Sequence, residues 1–577
     1  MYTSAIEKAL AVAFAQYHVP VTPVLSPPNK NGGGDFQCNS VLQLAGRMKT
    51  KPADLAREIA AKLDLEGVAE VTVTGPGYLN FILTDSFVER MSRSAALGDA
   101  VAKASSPETV VIDFGGPNIA KALHVGHLRS FVIGESLRRI LVAVGHRVTS
   151  DIHYGDWGLP IGKLILGIET ALGHEIQADE LDGLDLSLEK LGEYYRAGNA
   201  LTKADLDAYE KAKANTASLQ ANSPGCMMTR QVNLRMLWTR MREVSLAGIA
   251  GHIEMLGAHF DTFDGESNVD PLILPMLLGL QAAALAVESD GALVGPVVED
   301  GSLPPVLLRK SDGSYLYGTT DLATIVDRIA KYKPDRIVYC VDGRQDVHLK
   351  TCFMLAAKAA EAGLDGFVPL PELVHADFGT VNDASGKPYS TREGTPALLD
   401  DLIGQAMAKA HEVITDETDG DTARKVAIAA LKFADLSTDR RSGYVFDPER
   451  MMSFTGRTGP YLQYACARVS SLLRKAAEDG RAGPGEIGIV HPADRELAVE
   501  VLGFPAAVLR AAADLQPKAV CDAAYDIATA LSRLYAEVEI LRAPDGEREG
   551  RLALMTWAAE TIATGLNLLG IEVPERM

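Results

Sequence analysis

Two histidines, His124 and His127, bracket Val125 and Gly126 in the stretch "IAKALHVGHLRS", and Lys121 stands just upstream. The chain has only 12 histidines, so a pair three residues apart invites a chemical reading. Imidazole N–H groups donate hydrogen bonds to phosphate oxygens as negative charge builds during displacement at phosphorus, and a lysine adds a mobile cation. The residues before the pair, "VVIDF", form a short apolar run that suits a buried strand, and "GGPN" breaks it. Strand, turn and helix N-terminus make an anion site, because backbone N–H groups and the helix dipole point at the bound charge. Gly126 lets the backbone approach a base or ribose with no Cβ in the way. A lone H-x-G-H is explained equally well by solvated histidines at a helix start. A metal pair is disfavoured, because two rings need further ligands and no cysteine cluster supplies them.

The elements that must hold this turn can be read from periodicity. At 577 residues the chain is too long for one hydrophobic core and divides into three or four units. Residues 1–105 read as a small α/β domain, with a helical period in "KPADLAREIAAKLD" and strand alternation in "AEVTVTG" and "YLNFIL". Strands and helices alternate over residues 106–400, interrupted over about 165–300 by a charge-rich, largely helical insertion. Residues 401–445 read as connecting helices and 446–577 as a helical bundle with a loop-rich break at "EDGRAGPGEIG". The expected fold is α/β: a doubly wound parallel sheet with a small N-terminal α/β domain and a C-terminal all-α bundle.

Composition narrows the setting. Hydrophobic residues make up 47% and charged residues 23%, as in ordinary globular proteins. Six cysteines without C-x-x-C spacing fit a reducing compartment and argue against a disulfide framework or a structural zinc. Glu7 and Lys8 lie inside an amphipathic N-terminal pattern rather than a signal peptide, and no apolar run is long enough to span a bilayer. A cytoplasmic enzyme with no membrane partner is expected. The formal net charge of -20 opposes nucleic-acid binding over the surface as a whole. Screening over about 8 Å still permits a confined basic patch. Residues 437–475 offer one, interleaving Arg440, Arg441, Arg450, Arg457, Arg468, Arg474 and Lys475 with Tyr461 and Tyr464. That mixture suits phosphates and unstacked bases, although a solvated helix face accounts for a charge run as well.

The longer string "PNIAKALHVGHLRS" resembles the signature of class I aminoacyl-tRNA synthetases, and specifically of arginyl-tRNA synthetases. "DIHYGDWGLPIGKLI", "SYLYGTTDLATIVDR" and "YCVDGRQDVHLK" extend the likeness, as do "GDFQCNSVLQLAGRM" near the start and "GLNLLGIEVPERM" at the end. The resemblance implies a Rossmann-type catalytic core, an extra N-terminal domain that meets the tRNA elbow and a helical anticodon-binding domain. It implies ATP-dependent activation of L-arginine to arginyl-adenylate and transfer to the terminal adenosine of tRNA(Arg), with AMP and pyrophosphate released. Mg²⁺ would travel with ATP, no structural zinc is implied, and the family suggests a monomer.

Carried over residue by residue, the resemblance makes Lys121, His124 and His127 catalytic. It assigns ATP contacts to His124, Gly126, His127, Ser390, Thr391 and Arg392. Asp321 would receive the guanidinium, Tyr317 would pack beside it, and Gln345 would reach the side chain. Asn118 would hold the backbone end and Asp113 would lie near the α-amino group. A guanidinium offers a planar fork of donors that a carboxylate accepts two at a time, which lysine cannot match. Tyr317 and Asp321 are one helical turn apart and can share a face, although Asp321 after "GTT" also reads as a helix N-cap. The second class signature is degenerate in "SGKPYSTREGT": Thr391 replaces its second lysine, and Lys387 falls upstream of the first. In the family a lysine before the histidines compensates, the position of Lys121. For tRNA the resemblance points to Arg457, Tyr461, Gln463, Tyr464 and Arg468.

Three other readings share part of the pattern. A nucleotidyltransferase making a dinucleotide cofactor carries H-x-G-H close to its start, whereas about a hundred residues precede it here. A class I ligase for another amino acid would differ at Tyr317 and Asp321. A non-catalytic RNA-binding paralogue would have no need of Lys121, His124 and His127 together. The charged insertion reads as helical, with no task assigned.

Overall fold

The computed structural model describes residues 2–26, 33–220, 229–311, 313–390, 397–414 and 420–577. The run "TVVIDF" forms the strand Thr109–Phe114. It lies in a four-stranded parallel sheet ordered Glu372–His375, Arg336–Cys340, Thr109–Phe114, Arg147–Asp151. Successive residues feed two different apolar clusters: Val111 enters one, while Val110 and Ile112 enter the other. Ile337 and Tyr339 alternate with Val338 and Cys340 in the same way. Both faces of the sheet are covered, which is why these strands read as continuous apolar runs.

Chain order reverses beside Thr109–Phe114. Its successor Arg147–Asp151 pairs on one side and the later Arg336–Cys340 on the other. At such a reversal the loops diverge to opposite faces and leave a crevice beyond the strands' carboxyl ends. The turn bearing His124 and His127 follows one of these strands, and the turn Gly343–Gln345 follows the other.

The insertion comprises the helices Leu159–Leu172, Leu188–Ala204, Leu206–Gln220, Thr229–Met255 and Glu266–Ala282. It then ends in a three-stranded antiparallel sheet, Val287–Ser289, Ala292–Gly295 and Val306–Arg309, that the expected helical insertion did not include. Asp290 and Gly291 turn the first hairpin with φ of 51° and 78°, the left-handed values that a two-residue hairpin loop requires.

Residues near the start form a four-stranded antiparallel sheet, Leu25–Ser26, Phe36–Cys38, Tyr78–Leu83 and Ala69–Thr74 in spatial order. The C-terminal part is helical, its largest members being Gly459–Glu478, Pro492–Asp514, Lys518–Glu537 and Glu547–Leu568. These two regions touch: Arg495 grips Asp35 with both terminal nitrogens, at 3.0 and 2.7 Å, and Asp85 with its Nε at 2.9 Å. The helix Val125–Ala143 is also tied to the C-terminal part, through a buried Arg129–Asp435 pair and a bond from Ser136 Oγ to the Leu568 carbonyl. Among the described residues, five cysteines are free and buried, and no helix is long and apolar enough to cross a membrane.

Candidate active site

His124 is the N-cap of the helix Val125–Ala143. Its Nδ1 accepts the Gly126 N–H at 3.1 Å, and His127 Nδ1 accepts the His124 N–H at 3.0 Å. The two histidines therefore perform the reciprocal capping usually left to Ser and Glu. With both Nδ1 atoms accepting, each neutral ring keeps its proton on Nε2 and retains that N–H as a donor. Burial, then the charges of Arg344 and Lys121, lowers the His124 pKa; burial and His124 push His127 down to about 3. These rings are neutral donors at physiological pH. Gly126 has a different use from the one its sequence position suggests. A Cβ there would lie 2.9 Å from His124 Cε1, so the glycine admits the histidine ring.

The loop before the turn is held from behind by the insertion. Ala120 adopts φ of 62°, and its N–H donates to Ser245 Oγ at 2.9 Å from the helix Thr229–Met255. The Lys121 ammonium sits 4.5 Å from the centre of the Tyr195 ring, a cation–π arrangement that restrains the lysine. Trp238 donates to the Asp156 carbonyl at 2.8 Å and packs edge-on against Trp157. The charged insertion thus braces the catalytic loop.

A cavity of about 710 Å³ opens beside this loop, lined in part by Asn118, Trp157, Glu266, Tyr317 and Thr320. Asn118 is held between its neighbours' backbone bonds: Ile119 N–H donates to the Gly155 carbonyl and Gly155 N–H to the Pro117 carbonyl, both at 3.2 Å, and any side chain at Gly155 would collide with the asparagine oxygen. Tyr317 begins the helix Tyr317–Tyr332, and Asp321 follows one turn on. Glu266 begins the helix Glu266–Ala282 and was missed by the sequence reading. Burial, then repulsion from Asp321 and Asp156, raises its pKa to about 8. His348 was missed too: its Nε2 lies 2.5 Å from Asp321 Oδ2, and that contact raises the His348 pKa. Glu266 and Tyr317 line the cavity; Asp321 does not, but it lies close enough to raise the pKa of both, and two acidic groups beside a tyrosine suit a forked cation. Gln345 is exposed in the turn Gly343–Gln345 at the reversal point and is not part of the cavity wall.

Asp113 does not stand free for an α-amino group. Arg328 contacts both Asp113 and Asp151 at 2.6 Å, all three buried. The triad fastens the helix that carries Tyr317 and Asp321 to the ends of two sheet strands, and this corrects the expected substrate contact. The second signature is described only in part. Lys387 and Ser390 are exposed, while Thr391 and Arg392 lie outside the described residues. Beyond them the chain returns to the histidine turn: Val125 N–H donates to the Ala397 carbonyl at 2.9 Å, and Leu399 N–H to the Leu123 carbonyl at 3.0 Å.

Of the residues expected to face RNA, Tyr464 is exposed, and Arg457 is exposed while paired with Asp522. Arg468 stacks 3.7 Å from the Tyr535 ring centre, and Tyr461 is half-buried with its hydroxyl bonded to Ala528 and Ser532. Gln463 has no exposure, and its amide donates to the carbonyls of Lys425 and Glu572. It ties helices together, which corrects the expected tRNA contact. Arg440 is likewise internal, bonded to Asp377 and the Leu515 carbonyl.

A histidine-capped helix at the reversal point of a parallel sheet, beside a cavity, fits the catalytic core of a class I aminoacyl-tRNA synthetase. Residues 93–448 match the family model described as "tRNA synthetases class I (R), catalytic domain". Residues 1–83 match the arginyl tRNA synthetase N terminal domain, and 462–577 the DALR anticodon binding domain. The chain belongs to the arginyl-tRNA synthetase family. It is 40% identical to the arginine–tRNA ligase of Hyphomonas neptunium over 94% of each chain, and 39% identical to that of Maricaulis maris over 99% of each. The arginyl-tRNA synthetase structure of Thermus thermophilus superposes with a TM-score of 0.79 at 27% identity over the whole of both chains.

Proposed function

We propose that in this arginine–tRNA ligase a neutral histidine pair and Lys121 handle ATP, and Asp321, Glu266 and Tyr317 select arginine. The observation that carries the proposal is a cavity lined by Glu266, Tyr317 and Asn118, with Asp321 just behind its wall and close enough to act on both Glu266 and Tyr317. In the first step the arginine carboxylate attacks the α-phosphorus of MgATP and pyrophosphate leaves. The Nε2–H groups of His124 and His127 donate to the phosphate oxygens as their charge grows, and Lys121 follows the departing pyrophosphate. Asn118 holds the backbone end of arginine. In the second step a ribose hydroxyl of the terminal adenosine, the 2′-OH by class, attacks the adenylate carbonyl and AMP leaves. The phosphate of AMP is a good leaving group, so neither step needs a side-chain nucleophile. For tRNA(Arg), Arg457, Tyr464 and Arg468 are the surface groups of the helical domain best suited to phosphates and bases.

The test is pyrophosphate exchange with each amino acid, with and without total tRNA. Exchange with arginine alone among the amino acids is expected, and Asp321→Ala should abolish it while the thermal transition is retained. Exchange driven by another amino acid, or near-normal charging by Asp321→Ala, would overturn the assignment.

A further inference from the structure

We propose that Asp321, His348 and Cys352 form a chelate for a thiophilic divalent cation such as Zn²⁺, and that its occupation shuts arginine out. His348 and Cys352 lie four residues apart on the helix Asp346–Glu361, so both side chains leave the same face. Asp321 meets them from the neighbouring helix Tyr317–Tyr332. The three donor atoms lie within 4.8 Å of one another. His348 Nε2 is 2.5 Å from Asp321 Oδ2 and 3.9 Å from Cys352 Sγ. A tetrahedral zinc with Zn–S of about 2.3 Å and Zn–N of about 2.0 Å separates adjacent donors by roughly 3.3–3.6 Å. Changes of about 0.8 Å between Asp321 and His348, about 0.4 Å between His348 and Cys352 and at most about 1.3 Å between Asp321 and Cys352, within reach of side-chain rotations, convert the observed triangle into that geometry.

The chemistry of the set favours a borderline-soft ion over Mg²⁺ or Ca²⁺, which prefer oxygen ligands alone. Cys352 itself is buried, but Asp321 and His348 are part-exposed, so an ion has an approach and the fourth position stays open. A hydrogen bond that merely orients Asp321 needs only His348; the thiol at the third corner adds nothing to it. On binding, the Cys352 thiol proton and any proton on His348 pass to solvent, and thiolate, imidazole nitrogen and carboxylate oxygen bond to the ion. The ion would then occupy the Asp321 carboxylate and place positive charge where the guanidinium belongs. That second half rests on the proposed arginine pocket, whereas the chelate itself does not.

Titration of the chelator-treated full chain with Co²⁺ reads the site directly. A thiolate-to-cobalt charge-transfer band should appear, be displaced by Zn²⁺, and fade as arginine is added. In steady state Zn²⁺ should raise KM for arginine and leave kcat unchanged. Cys352→Ser and Cys352→Ala should both lose the band, keep the parent KM in metal-free buffer, and raise the Zn²⁺ concentration that halves charging by about tenfold or more. Absence of the band, or Zn²⁺ sensitivity unchanged in both variants, would overturn the chelate. A normal band that arginine does not displace, with arginine charging intact, would overturn the exclusion and remove Asp321 from the guanidinium site. A normal band in a chain that does not charge arginine would leave the chelate standing and defeat the proposed function.

Discussion

Arginine binding should release a proton, and Glu266 should supply it. Desolvation and the nearby charges of Asp321 and Asp156 hold the Glu266 carboxyl at a pKa of about 8 in the free protein. At pH 7 only about one molecule in ten then carries the carboxylate, and ionising the rest costs about 1.4 kcal/mol, or about tenfold in affinity. An apposed guanidinium lowers such a pKa by about 1–3 units, and a shift of about two units or more leaves the bound group ionised at pH 7. The dissociation constant should accordingly rise by up to about tenfold per pH unit as pH falls from 8 towards 6. Calorimetry in two buffers of different ionisation enthalpy would register most of one proton released per arginine at pH 7. Glu266→Gln should remove that release and weaken arginine binding by about ten- to a hundredfold, the worth of a charge-assisted hydrogen bond. The stability effect has the opposite sign. Because folding raises this pKa above its ordinary value of 4.5, the stabilisation it gives is complete below pH 4.5 and is lost as pH rises through about 8. The glutamine variant should therefore melt above the parent at pH 8.5, each unit of relieved shift being worth about 1.4 kcal/mol. A proton release that persists undiminished in Glu266→Gln would transfer the effect to His348. Affinity independent of pH between 6.5 and 8.5 would refute the argument altogether.

Other expectations concern the turn and its supports. His124→Ala should slow pyrophosphate exchange by about 10²–10³, the cost of one preorganised donor, with tRNA affinity kept; a loss under threefold would argue against donation to phosphate. Since His127 titrates at about 3, the exchange rate should show no limb from that histidine between pH 6 and 8, and such a limb, absent in His127→Asn, would contradict neutral rings. Asp113→Asn should lower the melting temperature, because it leaves Arg328 with one carboxylate in a buried site, where breaking a pair costs about 3–5 kcal/mol. A raised KM for arginine with unchanged melting would restore Asp113 as a substrate contact. Lys121→Ala should slow pyrophosphate exchange more than it weakens tRNA binding, and the reverse order would defeat its assignment to the phosphates.

What the sequence revealed was local, and what it hid was brought together by packing. The strand Thr109–Phe114 and the helix beginning at Val125 were readable because an apolar run, a glycine-proline break and a cap follow one another directly. Tyr317 and Asp321 could be paired because helical period alone puts them on one face. Glu266 carried no such mark: it reaches the cavity only because the insertion folds back, and its altered acidity comes from burial first and then from charges distant along the chain. His348 gave a weaker clue, in a stretch already singled out, but its bond to Asp321 crosses between helices. Gln463 looked like a surface group beside tyrosine and arginine, yet it packs inward against the carbonyl of Glu572. The hairpin at Asp290 and Gly291 is the opposite case, since "SDGA" carried its own turn signal and went unread.

The grip of Arg495 on Asp35 and Asp85 clasps the opening module to the closing one. Cutting away the first module strands an arginine on the third, and trimming the third loosens the first. Maps of RNA footprint drawn from truncations would mix lost contacts with a sprung clasp. Charge reversal on both sides of the clasp, at Arg495 and at Asp35 and Asp85 together, keeps opposite charges facing each other and separates the two.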